Sequence, residues 1–484
     1  MMRLTSRAVA VVVILLVLTG GFGYASGWYS AMVAAPVPVT TFGLTNGDLT
    51  LNSLDLNEYK LQGTDITNAT ITKEASYTVW KSGSTYYALN GATGATTSNA
   101  NAATLVQGLL NSGVVSLFFK NGDYVFTATL TPSAMDQLSG ESWDTKFYLA
   151  STLHAALIDI DIVDTVKISN IAFDGINEST STQGLIFLEN CNYISIDRCS
   201  FRNMHTVGIL SSQQTNYAVI SNCRSEDTPH QAYNIQGHGN ILRDSIARNC
   251  SERAIVVGSA IGCQVVNNYV NQAGSVGEGI QISYEATDTL IDGNRVYNCL
   301  TGRSMVIEAK DGGGLGTHLI YHTDITNNFI TNSSGGIILA SDGGNQIVYL
   351  NINNNEMDIY PNSAVYIDHN IGGMHYVSIT NNMLNAVMDI SLFPSDFRVY
   401  RNRGIVTENS GTATVLSGTT SIYILHGCSY TPTAKDISYV FTELPTNVIT
   451  YQYIGNLSAT GFTLYTSDPG GSNLDLSWAV RRTP

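Results

Sequence analysis

Charge is what this sequence has least of. Only 13% of its 484 residues are Asp, Glu, Lys or Arg, and 23 basic residues face 38 acidic ones, for a formal net charge of −15. Binding to a phosphate backbone needs a clustered basic surface, and none occurs, so nucleic acid is excluded as a partner. Proline is scarce, at 10 residues, which argues against Pro-rich low-complexity segments. The seven cysteines (191, 199, 223, 250, 263, 299 and 428) contain no CxxC pair, the spacing a zinc site uses. Their odd number leaves at least one unpaired, and most read as small buried hydrophobes. A hydrophobic content of 44% excludes a disordered chain. What is abundant is glycine, at 44 residues, and tyrosine, at 26. That mix suits short strands joined by tight turns.

The amino-terminal end has its own chemistry. Arg3 and Arg7 precede an apolar run from Ala8 to Leu18, and no charged residue follows until Asp48. With Ala25-Ser26-Gly27 as small residues for cleavage, this reads as a secretory signal. The uncharged stretch from Ala8 to Ala35 is also long enough to span a bilayer as an uncleaved anchor. Both readings of residues 1–35 place the bulk of the chain outside the cytoplasm, secreted or held at the cell surface. Residues 36–76 then read as a linker and short strands.

Farther on, a repeat dominates. Ten segments share an aliphatic residue, two polar or small residues and a fourth position that is often Asn. They run from Ile168-Ser-Asn-Ile through Ile196-Asp-Arg-Cys and Ile291-Asp-Gly-Asn to Val399-Tyr-Arg-Asn. Successive segments lie 20 to 34 residues apart, the length of one coil in a stacked solenoid. Asn fills the fourth position in the last six: Asn268, Asn294, Asn328, Asn355, Asn382 and Asn402. Stacking would set these amides about 4.8 Å apart, each able to donate to the next. Each coil carries a second strand begun by a small residue, such as Gly208-Ile-Leu-Ser-Ser or Gly279-Ile-Gln-Ile-Ser. Alternation along it predicts two outward rows, one of them through Leu188, Gln236, Gly258, Ser283, Glu308, Ala340 and Asp368.

These segments, with the aromatic YTVWKSGSTYYALNG from Tyr77, a helix over 99–112 begun by Ser98 or Asn99, and LFFKNGDY, resemble the pectate-lyase-like superfamily. The resemblance covers roughly residues 77–404. It implies an all-β protein whose main domain is a right-handed parallel β-helix of about ten coils, its open core end covered by the amino-terminal helix. Residues 405–484 alternate differently and read as a small antiparallel β-sandwich, similar to domains appended to phage tail-spike-like and surface proteins. Trimers occur among such proteins, so a homotrimer is one expectation that the resemblance adds.

The outward rows are where chemistry is expected. Glu308 and Asp368 share a row two coils apart, about 9.5 Å, at the upper edge of the carboxylate spacing used by inverting glycoside hydrolases. Lys310 is the alternative, as a base beside a uronate in lyase chemistry. Glu285, Asp342, Tyr366, His369 and Asp389 are the expected substrate-binding residues around them. Val365-Tyr-Ile-Asp-His369 resembles a pectate-lyase stretch, yet the lyase arginine motif and the Asp-Asp pair of polygalacturonases are absent. No cofactor is implied. Asp159, Asp161 and Asp164 offer oxygen ligands to calcium, but alternation with Ile158, Ile160 and Ile162 reads better as an ordinary outward strand face. The first reading is a surface protein that binds polysaccharide or cell-surface glycan, with Tyr366, Tyr451, Tyr453 and Trp478 as stacking aromatics. A lyase or hydrolase, and a purely structural envelope component, are the alternatives.

Overall fold

The computed structural model describes residues 75–151, 153–175, 184–204, 206–272, 277–309, 318–341, 344–359, 363–368, 373–385, 397–404, 408–428, 430–468 and 470–481. The reading of residues 1–35 as signal or anchor, and of 36–74 as linker and strands, lies outside them. Among the described residues no helix is long and apolar enough to cross a membrane.

From Gly122 to Arg403 the chain winds as a parallel β-solenoid with three strands per coil. The first sheet stacks strands such as Ile186–Glu189, Val207–Ser211, Gln231–His238, Arg253–Ile261, Glu278–Thr287, Met305–Ala309, Ile337–Ser341 and Val365–Asp368. The second stacks the repeat segments themselves, for example Ser195–Asp197, Val219–Ser221 and Ile241–Arg243. The third is an 11-stranded sheet running from Gly122–Phe126 to Met383–Leu384. Strands this short bury nothing useful alone. Stacked, they align Ile168, Ile196, Ile220, Leu242, Val265 and Ile291 in one buried file, and Phe147, Phe173 and Phe201 in another, with ring centroids 5.6 and 5.2 Å apart.

The corner between the second and third sheets explains the repeat. Its third residue is left-handed in all ten coils, from Asn170 (φ 55°) to Arg401 (φ 56°). Eight of the ten are Asn, Asp or Gly (170, 222, 244, 267, 293, 327, 354 and 381), the residues that enter this region at least cost. The fourth residue then points inward and is buried. Asn268 Nδ2 donates to Asn294 Oδ1 (3.0 Å), and the same contact continues from Asn294 to Asn328, Asn355, Asn382 and Asn402. Earlier coils put buried Cys199, Cys223 and Ser245 in that slot. The amide spine is continuous.

Two local expectations need correcting. The capping helix α1 spans Ala102–Leu110, and its N-cap is Asn101, whose side chain accepts from Thr104 N–H (3.1 Å); Ser98 and Asn99 end the preceding strand instead. Leu188, expected in an outward row, points into the core, as does Ile186. Ile186 pairs with Ile209, so the coil that begins at Gly184 carries one extra residue, Leu185, before its strand. A one-residue slip exchanges the two faces of a strand. Phe187 and Glu189 therefore face out in that coil.

After the last coil, two three-stranded antiparallel sheets pack face to face. One comprises Glu408–Val415, Leu474–Arg481 and Ile437–Phe441; the other, Ser421–Leu425, Gly461–Thr466 and Gln452–Gly455. Phe462, Leu464, Leu476, Trp478 and Val480 fill the space between them. Trp478 is only 7% exposed, in phase with Leu474 and Leu476, so it is a core residue and not a stacking platform. The Arg481 guanidinium lies 4.5 Å from the ring centre of Tyr400 on the last coil.

Candidate functional site

The outer face of the first sheet changes character along the rod. Phe187 and Leu210 give way to Asn234, Val256 and Gln281 in one row, and Gln236, Gly258, Ser283 and Glu308 form the next. Pairing that runs through all three coils is regular up to Ile235, Val257 and Ile282, Gly258 still pairs with Ser283, and it resumes at Gly237, Ala260 and Ala286. Between those points the three coils hold one, two and three residues: Gln236, then Gly258-Ser259, then Ser283-Tyr284-Glu285. Such bulges bend a strand and redirect its side chains. Ser259 and Tyr284 are both left-handed, at φ 48° and 59°.

The widening opens a groove of about 410 Å³ lined by Gln213, Asn234, Gln236, Gly258, Tyr284, Glu285 and His318, among others. Gly258 makes its floor. A Cβ there would lie 3.2 Å from Ser283 Oγ and 3.3 Å from Tyr284 Cδ2, so a side chain enters only if those neighbours give way by a few tenths of an ångström. The hydroxyl of Ser283, its register partner on the next coil, is buried and has no hydrogen-bond partner among the described residues. On one wall, Gln236 Nε2 donates to Asn234 Oδ1 (3.2 Å) and Asn234 Nδ2 donates to Gln231 Oε1 (2.9 Å). On the other, Tyr284 and His318 meet edge to face at 5.7 Å.

A charged strip borders the groove on the side where the strands begin. Arg253 Nε lies 3.4 Å from Glu278 Oε2, and Arg253 and Glu278 are neighbours in register. Burial pushes the Glu278 carboxyl above its ordinary value, with Arg253 and Arg303 pulling it back and Glu308 adding repulsion. Gln281 Nε2 donates to Glu308 Oε2 at 2.8 Å. Glu308 is thus an acceptor held in the row, one coil from Ser283.

The expected site residues divide unevenly. Glu285 is exposed and lines the groove. Glu308 is half-buried beside it, and Tyr366 is exposed three coils from Gln281 in the same row. Asp368 occupies the Glu308 row by backbone register, through Ala340. Lys310, Asp342, His369 and Asp389 lie outside the described residues. Asn234, Gln236, Gly258, Ser283, Tyr284 and His318 carry the groove, and Glu278 with Arg253 its charged border. The one, two, three growth of the inserts is the signal that finds them. Asp159 and Asp161 sit on the outward face opposite Phe187 and Glu189. Among the described residues, no group of three or more His, Cys, Asp or Glu is arranged to hold a metal ion.

Residues 183–313, which hold all of the named groove residues but His318, match a family model described as a right handed beta helix region. The main part of the chain folds as a right-handed parallel β-helix. Comparison with curated protein sequences gives no match. The β-helix is similar to an endo-xylogalacturonan hydrolase from Aspergillus tubingensis, at 14% identity and a TM-score of 0.51, over 63% of this chain and 96% of that one. It is also similar to the A-module of the mannuronan C-5 epimerase AlgE6 of Azotobacter vinelandii, at 13% identity and a TM-score of 0.50, over 63% and 94%. A tailspike protein of the E. coli bacteriophage HK620, solved with a pentasaccharide, aligns over 80% of this chain and 90% of its own at 10% identity and a TM-score of 0.45. At these identities the likeness to the hydrolase and the epimerase module is one of fold.

Proposed function

We propose that this β-helix binds a polysaccharide along the outer face of its first sheet, seating it in the groove over Gly258, and that it does so as an exported or surface-displayed protein. The groove is the observation that carries the reading. A floor without a side chain, amides on one wall and a tyrosine and a histidine on the other match an oligosaccharide, which offers hydroxyls at its edge and C–H groups on its face. A rod of equivalent coils also matches a polymer of equivalent sugars. That the two enzymes above are named for polysaccharides agrees with this class of ligand and does not select one.

The test is titration calorimetry or a glycan array with the full chain and two variants. Gly258→Gln fills the groove and Tyr284→Ala removes a wall; each is expected to weaken glycan binding at least tenfold while leaving the melting temperature within a few degrees. Unchanged affinity in both variants sinks the proposal, and binding to no glycan at all favours a structural envelope role.

A hydrolytic reading rests on a separate observation: Glu308 and Asp368 share one row, two coil rises or about 9.5 Å apart along the rod. Release of reducing sugar by the wild type, abolished in Glu308→Gln, would establish it over simple binding.

A further inference from the structure

The carboxy-terminal sandwich carries a second surface of different chemistry. In the sheet of Ser421–Leu425, Gly461–Thr466 and Gln452–Gly455, Ile424, Phe462 and Leu464 face the core. Alternation turns Tyr423, Thr463, Tyr465 and Tyr453 to the outside. Tyr423, Tyr451 and Tyr453 are 50%, 48% and 54% exposed. Two of the rings lean over glycines: a Cβ on Gly461 would lie 2.5 Å from Tyr423 Cζ, and one on Gly455 would lie 3.1 Å from Tyr465 Cε2. Their hydroxyls are tied down. Tyr423 Oη lies 3.0 Å from Thr460 Oγ1 and 3.3 Å from Ser458 Oγ, and Asn456 Nδ2 donates to Tyr465 Oη at 2.5 Å. Tyr453 and Tyr465 stack at 4.8 Å, and the three strands contain no Asp, Glu, Lys or Arg.

We propose that this face is a separate binding surface for a neutral polysaccharide, independent of the groove over Gly258. The C–H face of a pyranose presents weakly positive hydrogens to the negative face of an aromatic ring. Tyrosine offers that area at low rotamer cost, and here the cost falls further because the hydroxyls are already anchored. Thr460, Ser458 and Asn456 supply polar groups at the rim for sugar hydroxyls. The charge pattern selects the class of glycan. The strands hold no cation to pair with a uronate, and a protein of net charge −15 repels polyanions.

The experiment measures retention of the full chain, already carrying Gly258→Gln to silence the groove, on immobilised β-glucan, xylan, mannan and galactan, with polygalacturonate as the charged control. Binding to at least one neutral polymer is expected, weakened at least tenfold by Tyr423→Ala with Tyr453→Ala and largely kept by Tyr423→Phe, which preserves the ring. Thermal melting verifies that the double variant is folded, and Tyr453→Ala alone, at an exposed strand position, serves if it is not. The proposal is overturned if no neutral polymer retains the protein, if the folded variants bind as well as their parent, or if polygalacturonate binds equally. It is also overturned if sedimentation shows an oligomer that Tyr453→Ala dissociates, since the face would then belong to a second copy. Loss of groove binding by Gly258→Gln leaves each of these readouts intact, so the two proposals fail separately.

Discussion

Asn328 makes four side-chain bonds at once. Its Oδ1 accepts from the backbone N–H and the Nδ2 of Asn294, and its own Nδ2 donates to Ile291 O and to Asn355 Oδ1. All of these groups are buried. Asn328→Ala strands the Asn294 backbone N–H, at about 1–3 kcal/mol, and takes one bond from Ile291 O and one from Asn294 Nδ2, which keeps Val265 O. A loss of at least about 2 kcal/mol is expected in urea unfolding. Asn402 makes the same kinds of bonds at the end of the spine but is 8% exposed, where water can substitute. Asn402→Ala should therefore cost clearly less, and equal costs at the two sites would contradict the ladder's role. The neighbouring third position obeys a different rule. Asn327, Asn354 and Asn381 stand there for their backbone angle, although in sequence they are indistinguishable from the amides beside them.

Strand edges set the electrostatics. At the start of the first-sheet strands, Arg253, Glu278 and Arg303 form a strip in which Glu278 is half-buried and shifted upward. A carboxyl raised in the fold favours its protonated form there, so its contribution is fully present below the unfolded value of 4.5 and is lost as pH climbs through the folded value. Glu278→Gln has no such loss. Its stability relative to the wild type should rise as pH increases above about 4.5, as read from unfolding midpoints across pH 4 to 8; a flat difference would show that the shift is absent. The elements themselves were largely legible: a period of one coil and Ile-x-x-Asn marked the second sheet, and alternating apolar residues marked the sandwich. What escaped was register. Leu185 inserts a residue that reverses the faces of Ile186 and Leu188, and no local pattern distinguishes a starter glycine from one placed a residue early. The groove escaped for the same reason, since it arises from differences among adjacent coils and not from any single motif. Glu285 and Glu308 stand out in the sequence because outward carboxylates are conspicuous; Asn234, Gln236 and His318 are ordinary residues that the groove brings together.

The whole molecule holds together without covalent cross-links among its described parts, for all seven cysteines are free and buried. Burial raises the thiols of Cys191, Cys263 and Cys428 to about 11 and those of Cys250 and Cys299 to about 12, so they remain protonated and unreactive near neutral pH. A thiol reagent at pH 8 should label none in the native protein and all seven after denaturation, and a reducing agent should leave the melting temperature unchanged. Fewer than seven labelled under denaturing, non-reducing conditions would reveal a disulfide. The direction of the amide spine carries a last consequence. Each asparagine caps the backbone N–H of the coil before it, so a coil stays open-ended until its successor arrives. Synthesised from the amino terminus, the rod grows like a zip with an adhesive tip, and the newest turn is always the one least finished. Only when Asn402 docks, with the sandwich's Arg481 clamped over Tyr400, is that tip retired.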